Sequence, residues 1–469
     1  MNLEKVFIGI DIGTTMSKGI AINALGVIRA SSSIKHCYDT KIQDFAHHWW
    51  EEVLFLLQDI IKKEFAKCIY SITISGMVPN IIMLNENGDP IGTTRMFFDD
   101  FAIDIERELD KLDGTKWMNE YLSKLIYLKN NEASWEKVST ILTAHTYCVR
   151  KLTGKSVCDI GTAVECGNVF DLSRKEWNKE ILEKYRINPS ILPALVAPTA
   201  IIGTVLNDIA IRFGINEDTI VVAGSHDSVA TLVGAGVLNK DESLIYYGTY
   251  NCSALLCDDM SNLLNGTIDI NPIRWITSIP RSGQQISKMV EFFCGKDQYD
   301  EFSRLASTSV PGANNALFIQ NPDLFTAGIS SEPSGQLINI TTYTEKADCC
   351  RAVLESFGYG LLSTWKYDNI IPPKNSYSTG GGARSDVWVQ ITSDITGIDQ
   401  ILLEQAENAV GSALIGVFAY SQELFDQIQS KRISRGKRIN ANTIYADKYS
   451  SQFEVYYQHI ISKKGDIPK

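Results

Sequence analysis

Apolar residues follow two rhythms along this chain. Val6–Asp11 is a short, nearly unbroken apolar run, the pattern of a buried strand; after Gly13-Thr14-Thr15 the pattern resumes over Ser17–Asn23, predicting a hairpin. Further strands are predicted at Tyr70–Ser75, Ile81–Leu84, Thr219–Ala223 and Leu244–Tyr247. Between them, apolar positions recur at helical spacing over Gln43–Ala66, Ile103–Leu112, Trp135–Leu152, Ala347–Trp365 and Asp386–Thr396. Strands alternating with long helices define an α/β protein. Leu244–Tyr247 leading into Gly248-Thr249 faintly repeats Ile8–Thr15, which suggests a duplicated core holding a ligand between two halves. The boundary falls near Asp241–Leu244 and divides the chain into 1–242 and 243–469. The irregular, Gly-, Pro- and Ser-rich Pro311–Gln336 interrupts the second half.

Length and composition sharpen this picture. A chain of 469 residues is too long for one ordinary core, so two domains are expected. With 44% hydrophobic and 21% charged residues it is globular, and the net charge of −11, without a basic stripe, argues against a nucleic-acid partner. No run of about 18 apolar residues and no signal-like leader is present, so no membrane association is expected and the location is expected to be cytoplasmic. The ten cysteines are scattered, without a C-x-x-C pair and without histidines at zinc spacing, and read as buried reduced thiols.

Four segments carry candidate chemistry. In Gly9-Ile10-Asp11-Ile12-Gly13-Thr14-Thr15, Gly13 allows a close turn, the threonines and amides can donate to phosphate, and Asp11 can hold Mg²⁺ through water. A plain hairpin turn satisfies the same pattern. Tyr247-Gly248-Thr249-Tyr250-Asn251 is a weaker second instance. Thr379-Gly380-Gly381-Gly382-Ala383-Arg384-Ser385 runs directly into the helix Asp386–Thr396, bringing bare backbone and a helix start to a flat or phosphorylated ligand. In Ala223-Gly224-Ser225-His226-Asp227-Ser228, a carboxylate between a strand and a helix is placed to act as a general base, although a helix cap would read identically, and His226 beside it reads from the residues alone as a structural or supporting group.

Together and in this order, these segments resemble the FGGY carbohydrate kinases, the family of xylulokinase, gluconokinase, glycerol kinase and ribulokinase. Further points of likeness are Ser75-Gly76 through Gly88-Asp89-Pro90, Leu152-Thr153-Gly154 with Asp159, Phe170-Asp171 with Trp177, Leu192-Pro193, Gly380–Gly397 and Glu407–Gly411, so the resemblance spans about residues 6 to 420. It implies two ribonuclease H-like lobes of the actin-like ATPase fold with a deep cleft between them, and ATP-dependent phosphorylation of a small sugar or polyol. Asp227 aligns with the catalytic base and Asp11 with the metal position. Gly13, Thr14, Thr15, Lys18, Gly248, Thr249 and Gly283 fall at phosphate-binding positions, and Gly380, Gly381, Gly382, Ala383 and Ser385 line the nucleoside. Gly76, Met77, Asp99, Asp100, His226 and Asp227 fall to the sugar.

The sugar positions depart from the family pattern. Gly76-Met77-Val78-Pro79-Asn80 lacks the usual Gln and Met-His-Gly, and Phe97-Phe98-Asp99-Asp100 lacks the usual Arg, leaving either aspartate as the sugar ligand. The look is nearest the xylulokinase-like branch and favours a ketopentose or small polyol. Gluconate is disfavoured because Arg95 is its only obvious local cation. A catalytically silent sugar-binding regulator or a bare actin-like ATPase are the alternatives, and a homodimer stays open.

Overall fold

The computed structural model describes residues 5–36, 45–114, 118–248, 251–276, 282–320, 335–367, 369–373, 375–403 and 407–462. Two compact units share the chain. The first comprises Met1–Leu238, Asp258–Pro272 and Gln405–Lys431, and the second Asn239–Cys257, Ile273–Glu404 and Arg432–Lys469.

The first unit is built on a six-stranded sheet: β1 (Val6–Ile12), β2 (Met16–Asn23), β3 (Ile28–Lys35), β4 (Ile69–Gly76), β5 (Ile201–Thr204) and β6 (Ile220–Val222), in the order β5-β6-β4-β1-β2-β3. β1 is buried along its whole length, as its near-continuous apolar run requires of a central strand covered on both faces. It pairs antiparallel with β2 and parallel with β4, and β6 continues the parallel set while β3 and β5 close the edges antiparallel. In this register Asp11 lies opposite Lys18 on one side and Ser75 on the other.

The second unit repeats the plan with β7 (Ser243–Tyr246), β8 (Cys252–Leu256), β9 (Ile273–Ile276), β10 (Asn375–Thr379), β11 (Asp399–Leu402) and β12 (Lys437–Ile439), in the order β9-β8-β7-β10-β11-β12. β7 stands where β1 stands, antiparallel to β8 and parallel to β10, with β11 parallel and β12 antiparallel beyond. The sense of successive strands is the same in both sheets; only the chain order of the last two strands differs. This is the duplicated core that the echo of Ile8–Thr15 in Leu244–Thr249 suggested.

The expected helices over Ile103–Leu112, Ala347–Trp365 and Asp386–Thr396 correspond to Ile103–Asp113, Lys346–Tyr367 and Asp386–Thr396. The helix expected over Gln43–Ala66 is Phe45–Ile60 in the described residues. The single helix expected over Trp135–Leu152 is instead a 3-10 turn at Trp135–Lys137, a short strand at Thr140–Leu142 and a helix at Ala144–Thr153. Ile141 and Leu142 are buried where this strand pairs with Ile82–Leu84, and Thr143 starts the helix in a reciprocal cap with Thr146. Leu317–Gln320, inside the stretch read as irregular, forms a ribbon with Gly335–Ile338, which begins at its end and runs past it; residues 321–334 lie outside the described residues. Tyr449 and Tyr456, in the aromatic C-terminal stretch, are buried within the second unit, where Tyr449 receives a hydrogen bond from Arg351.

Candidate active site

Asp11 sits one residue before the end of β1, 4% exposed. Ser75 at the end of β4 donates to its Oδ1 at 2.8 Å, and Asn408 Nδ2 donates to its Oδ2 at 3.2 Å. Burial lifts the Asp11 carboxyl to about 6, partly opposed by these two hydrogen bonds and by the charges of Lys18 and His36. The turn that follows leaves Thr14 and Thr15 exposed and is held from behind: His36 contacts the Gly13 carbonyl through Nε2 at 2.7 Å and Glu52 through Nδ1 at 2.8 Å. Lys18 Nζ lies 3.3 Å from Glu407.

Asn408 opens the helix Asn408–Tyr420, which packs on β1 and on the helix Asp227–Ala235. A Cβ on Gly9 would stand 2.0 Å from the carbonyl oxygen of Ala409, and one on Gly411 1.8 Å from that of Ala230. Gly9, at the head of the first candidate phosphate segment, therefore serves helix packing, whereas the turn at Gly13–Thr15 leaves its two threonines exposed. Thr231 donates to Asn408 Oδ1 at 2.8 Å, so one amide joins the helix that begins at Asp227 to the Asp11 carboxylate.

Asp227 is the first residue of its helix, and His226 holds the capping position with no side-chain cap bond. Half-buried, the Asp227 carboxyl is pushed up to about 7, first by desolvation and then by the negative charges of Asp11 and Glu165, against hydrogen bonds from Ser228. Behind it runs a buried ladder: Thr143 to His145 at 3.2 Å, His145 Nε2 to Asp159 at 3.2 Å, and Ser225 donating to Asp159 Oδ1 at 2.6 Å. Gly76, at the end of β4, bridges to His226, which fixes the strand end beside this corner. The His226 imidazole is 2% exposed, and burial lowers its pKa, which keeps it neutral. Its Nε2 lies 3.9 Å from Glu165.

Around the expected sugar positions, Met77 donates its amide to Ile12 and buries its side chain in the core. Asp99 is half-buried and accepts from the Met96 amide at 2.8 Å, whereas Asp100 is exposed. Asn80, fully buried, ties the Phe97 amide to the Met77 carbonyl and so anchors the 95–99 segment against Met77–Ile81.

In the second unit, β10 delivers Gly380, Gly381 and Gly382 to the start of the helix Asp386–Thr396. Gly380 adopts φ +104°, a conformation closed to other residues, and a Cβ there would stand 2.4 Å from the Tyr247 carbonyl oxygen. A Cβ on Gly382 would strike the Trp388 ring at 2.2 Å, whereas nothing lies within 4 Å of the same position on Gly381. The Ser385 hydroxyl caps the helix by accepting from the Trp388 amide at 3.3 Å and lies 2.8 Å from the Ser303 hydroxyl. Ala383 is buried, Gly283 is half-buried on the helix Ser282–Cys294, and Gly248 directly follows Tyr247; Thr249 lies outside the described residues.

Residues 6–234 match the N-terminal domain, and residues 275–420 the C-terminal domain, of the FGGY family of carbohydrate kinases. The chain belongs to this family, with its two-lobed actin-like ATPase fold, and is an ATP-dependent sugar kinase. It is xylulokinase-like: it is 24% identical to a xylulose kinase of Lactococcus lactis over 96% of this chain and 95% of the relative. It is also 26% identical to a gluconokinase of Bacillus subtilis, covering 91% of this chain and 90% of that one. The solved gluconate kinase of Lactobacillus acidophilus superposes with a TM-score of 0.84 at 21% identity, over 99% of both chains.

Sequence reading missed Asn408, Ser75, the His36–Glu52 pair, His145 and Glu165. Asn408 and Ser75 lie inside segments quoted for the resemblance, so the motif signal reached their neighbourhood without singling out the side chain. His36, His145 and Glu165 stand in no motif, and their roles arise from contacts made only in the fold.

Proposed function

We propose that this kinase transfers the γ-phosphoryl group of ATP to a hydroxyl of an uncharged ketopentose or small polyol, with Asp227 as general base. One observation supports this above the others: a half-buried carboxyl at a strand–helix junction, with its pKa lifted to about 7, matched to taking a proton near neutral pH. As the acceptor oxygen attacks the γ-phosphorus, Asp227 takes its proton; the bond from phosphorus to the β,γ-bridging oxygen breaks and ADP leaves. In the first unit, Thr14, Thr15 and Lys18 attend the transferring phosphate, and Gly76, Asp99 or Asp100, and His226 the acceptor. In the second, Gly248, Thr249 and Gly283 hold phosphates, and Gly380–Ala383 with Ser385 hold the nucleoside.

The donor set fits Mg²⁺. Asp11 offers one buried strand-end carboxylate, and no cluster of three or more His, Cys, Asp or Glu suited to a metal occurs among the described residues. That is the pattern of an ion carried by phosphate oxygens and water with a single protein carboxylate. Bound there with ATP, Mg²⁺ would offset the charge that builds on the phosphoryl oxygens.

A second reading, an aldonate acceptor, has Arg95 in its favour: its guanidinium lies over the Phe101 ring at 4.8 Å, with Nε buried and unpartnered. The test is a coupled ADP-release screen with Mg-ATP against pentuloses, hexuloses, tetritols, glycerol and gluconate, run beside Asp227→Ala. Release that depends on acceptor and is lost in the variant supports the kinase reading; ADP released equally without any acceptor would replace it with a bare ATPase.

A further inference from the structure

Glu165 follows the short helix Ile160–Val164 and is held at the corner where Asp159 secures Ser225. The same Asp159 accepts from the Thr162 amide at 3.0 Å, so one carboxylate ties the helix that precedes Glu165 to the Ser225 side chain, two residues before Asp227. The Glu165 side chain is about a third exposed, and among the described residues its one ion-pair contact is His226 Nε2 at 3.9 Å. That imidazole is neutral, so the contact leaves the glutamate charge uncompensated. The charge is felt at Asp227, and Asp11 adds a second negative group to the same corner. The corner that holds Asp227 therefore carries a partly exposed carboxylate set against His226, the residue next to it in the chain.

We infer that Glu165 is a specificity-determining residue of the acceptor site: its carboxylate, 3.9 Å from His226 Nε2, accepts hydrogen bonds from uncharged polyhydroxyl acceptors and turns away acceptors that carry a carboxylate. This rests on the kinase reading and chooses between its two acceptor classes. A hydroxyl gives a carboxylate what it lacks, a donor, whereas an aldonate brings a like charge.

The test compares kcat/KM for ketopentoses, glycerol and gluconate in the wild type, Glu165→Gln, Glu165→Asp and Arg95→Gln. In the wild type the best neutral acceptor is expected to exceed gluconate by about 100-fold or more, and Glu165→Gln to narrow that ratio at least about tenfold, with KM for Mg-ATP unchanged. Glu165→Asp, which keeps the charge, should hold the wild-type ratio. A purely structural glutamate would lower both acceptor classes alike and leave the ratio fixed, which would overturn the inference while the kinase reading stood. A wild type that prefers gluconate, with that preference lost in Arg95→Gln, would overturn it as well. Absence of any acceptor-dependent ADP release from a wild type with a cooperative melt would sink the kinase reading and this inference with it.

Discussion

At the scale of single residues, the two carboxylates of the first unit work under opposite demands. Asp11 is kept deprotonatable by donors from Ser75 and Asn408, while Asp227 is left half-buried with only Ser228 to support its charge. The lifted Asp227 carboxyl predicts kcat/KM with an acid limb near pH 7, falling about tenfold per unit below it; a flat profile from pH 5.5 to 8 would exclude it as base. Because the two aspartates interact, the limb belongs to the pair. The sign for stability follows from the same shift. The folded state holds this proton to higher pH than the unfolded chain, so ionising Asp227 costs stability as pH rises from about 4 to 7. Asp227→Asn should lose about 10²- to 10⁴-fold in kcat yet melt higher at pH 8, by on the order of 1–2 kcal/mol after allowing for solvent screening of a half-buried group. The gain should vanish below pH 4, and calorimetry at the two pH values reads it directly.

Among the elements, the helix Asn408–Tyr420 carries the most. It was not predicted as a helix, because ten of its thirteen residues are buried and an all-round apolar segment has no periodic face to read. β3 escaped for the opposite reason: Ile28-Arg-Ala-Ser-Ser-Ser-Ile-Lys35 alternates only between half-buried and exposed positions, with serines giving no apolar signal. β1 and β7 were legible as short, nearly continuous apolar runs, and β4 because its isoleucines alternate with small polar residues. The glycine turns and Asp227 were legible because backbone chemistry survives as local sequence. Asn408 was not, since its partner Asp11 lies 397 residues away. Asn408→Ala is expected to cost roughly 1–3 kcal/mol and to weaken the apparent Mg²⁺ dependence of turnover; an unchanged metal titration would reduce it to a packing residue. Two glycines give a matched contrast. Gly411→Ala forces a methyl onto the Ala230 carbonyl and should destabilise by about 3 kcal/mol or more, whereas Gly381→Ala meets nothing and should leave the melt unchanged while raising KM for ATP several-fold.

For the whole molecule, the division of the chain matters more than its midpoint. A cut at 242/243 severs the first unit from Asp258–Pro272 and from Gln405–Lys431, which supplies the helix against β1 and the Asn408 amide. A chain ending at Pro272 is expected to expose β1 and bind a hydrophobic dye, and to melt cooperatively only when 405–431 is appended through a flexible linker. A sharp melt without the appendage would show that this helix is dispensable.

During synthesis this arrangement imposes a wait. The strands of the first sheet have all been synthesised once Leu238 is made, but the segment that covers β1 ends at Tyr420, roughly 10 to 40 seconds later at ~5–20 residues per second. Over that interval the nascent chain carries an unclosed apolar surface while the second unit is still being translated. Yield in a cell should therefore respond to translation speed and to chaperone supply more sharply than the equilibrium stability of the finished kinase would suggest.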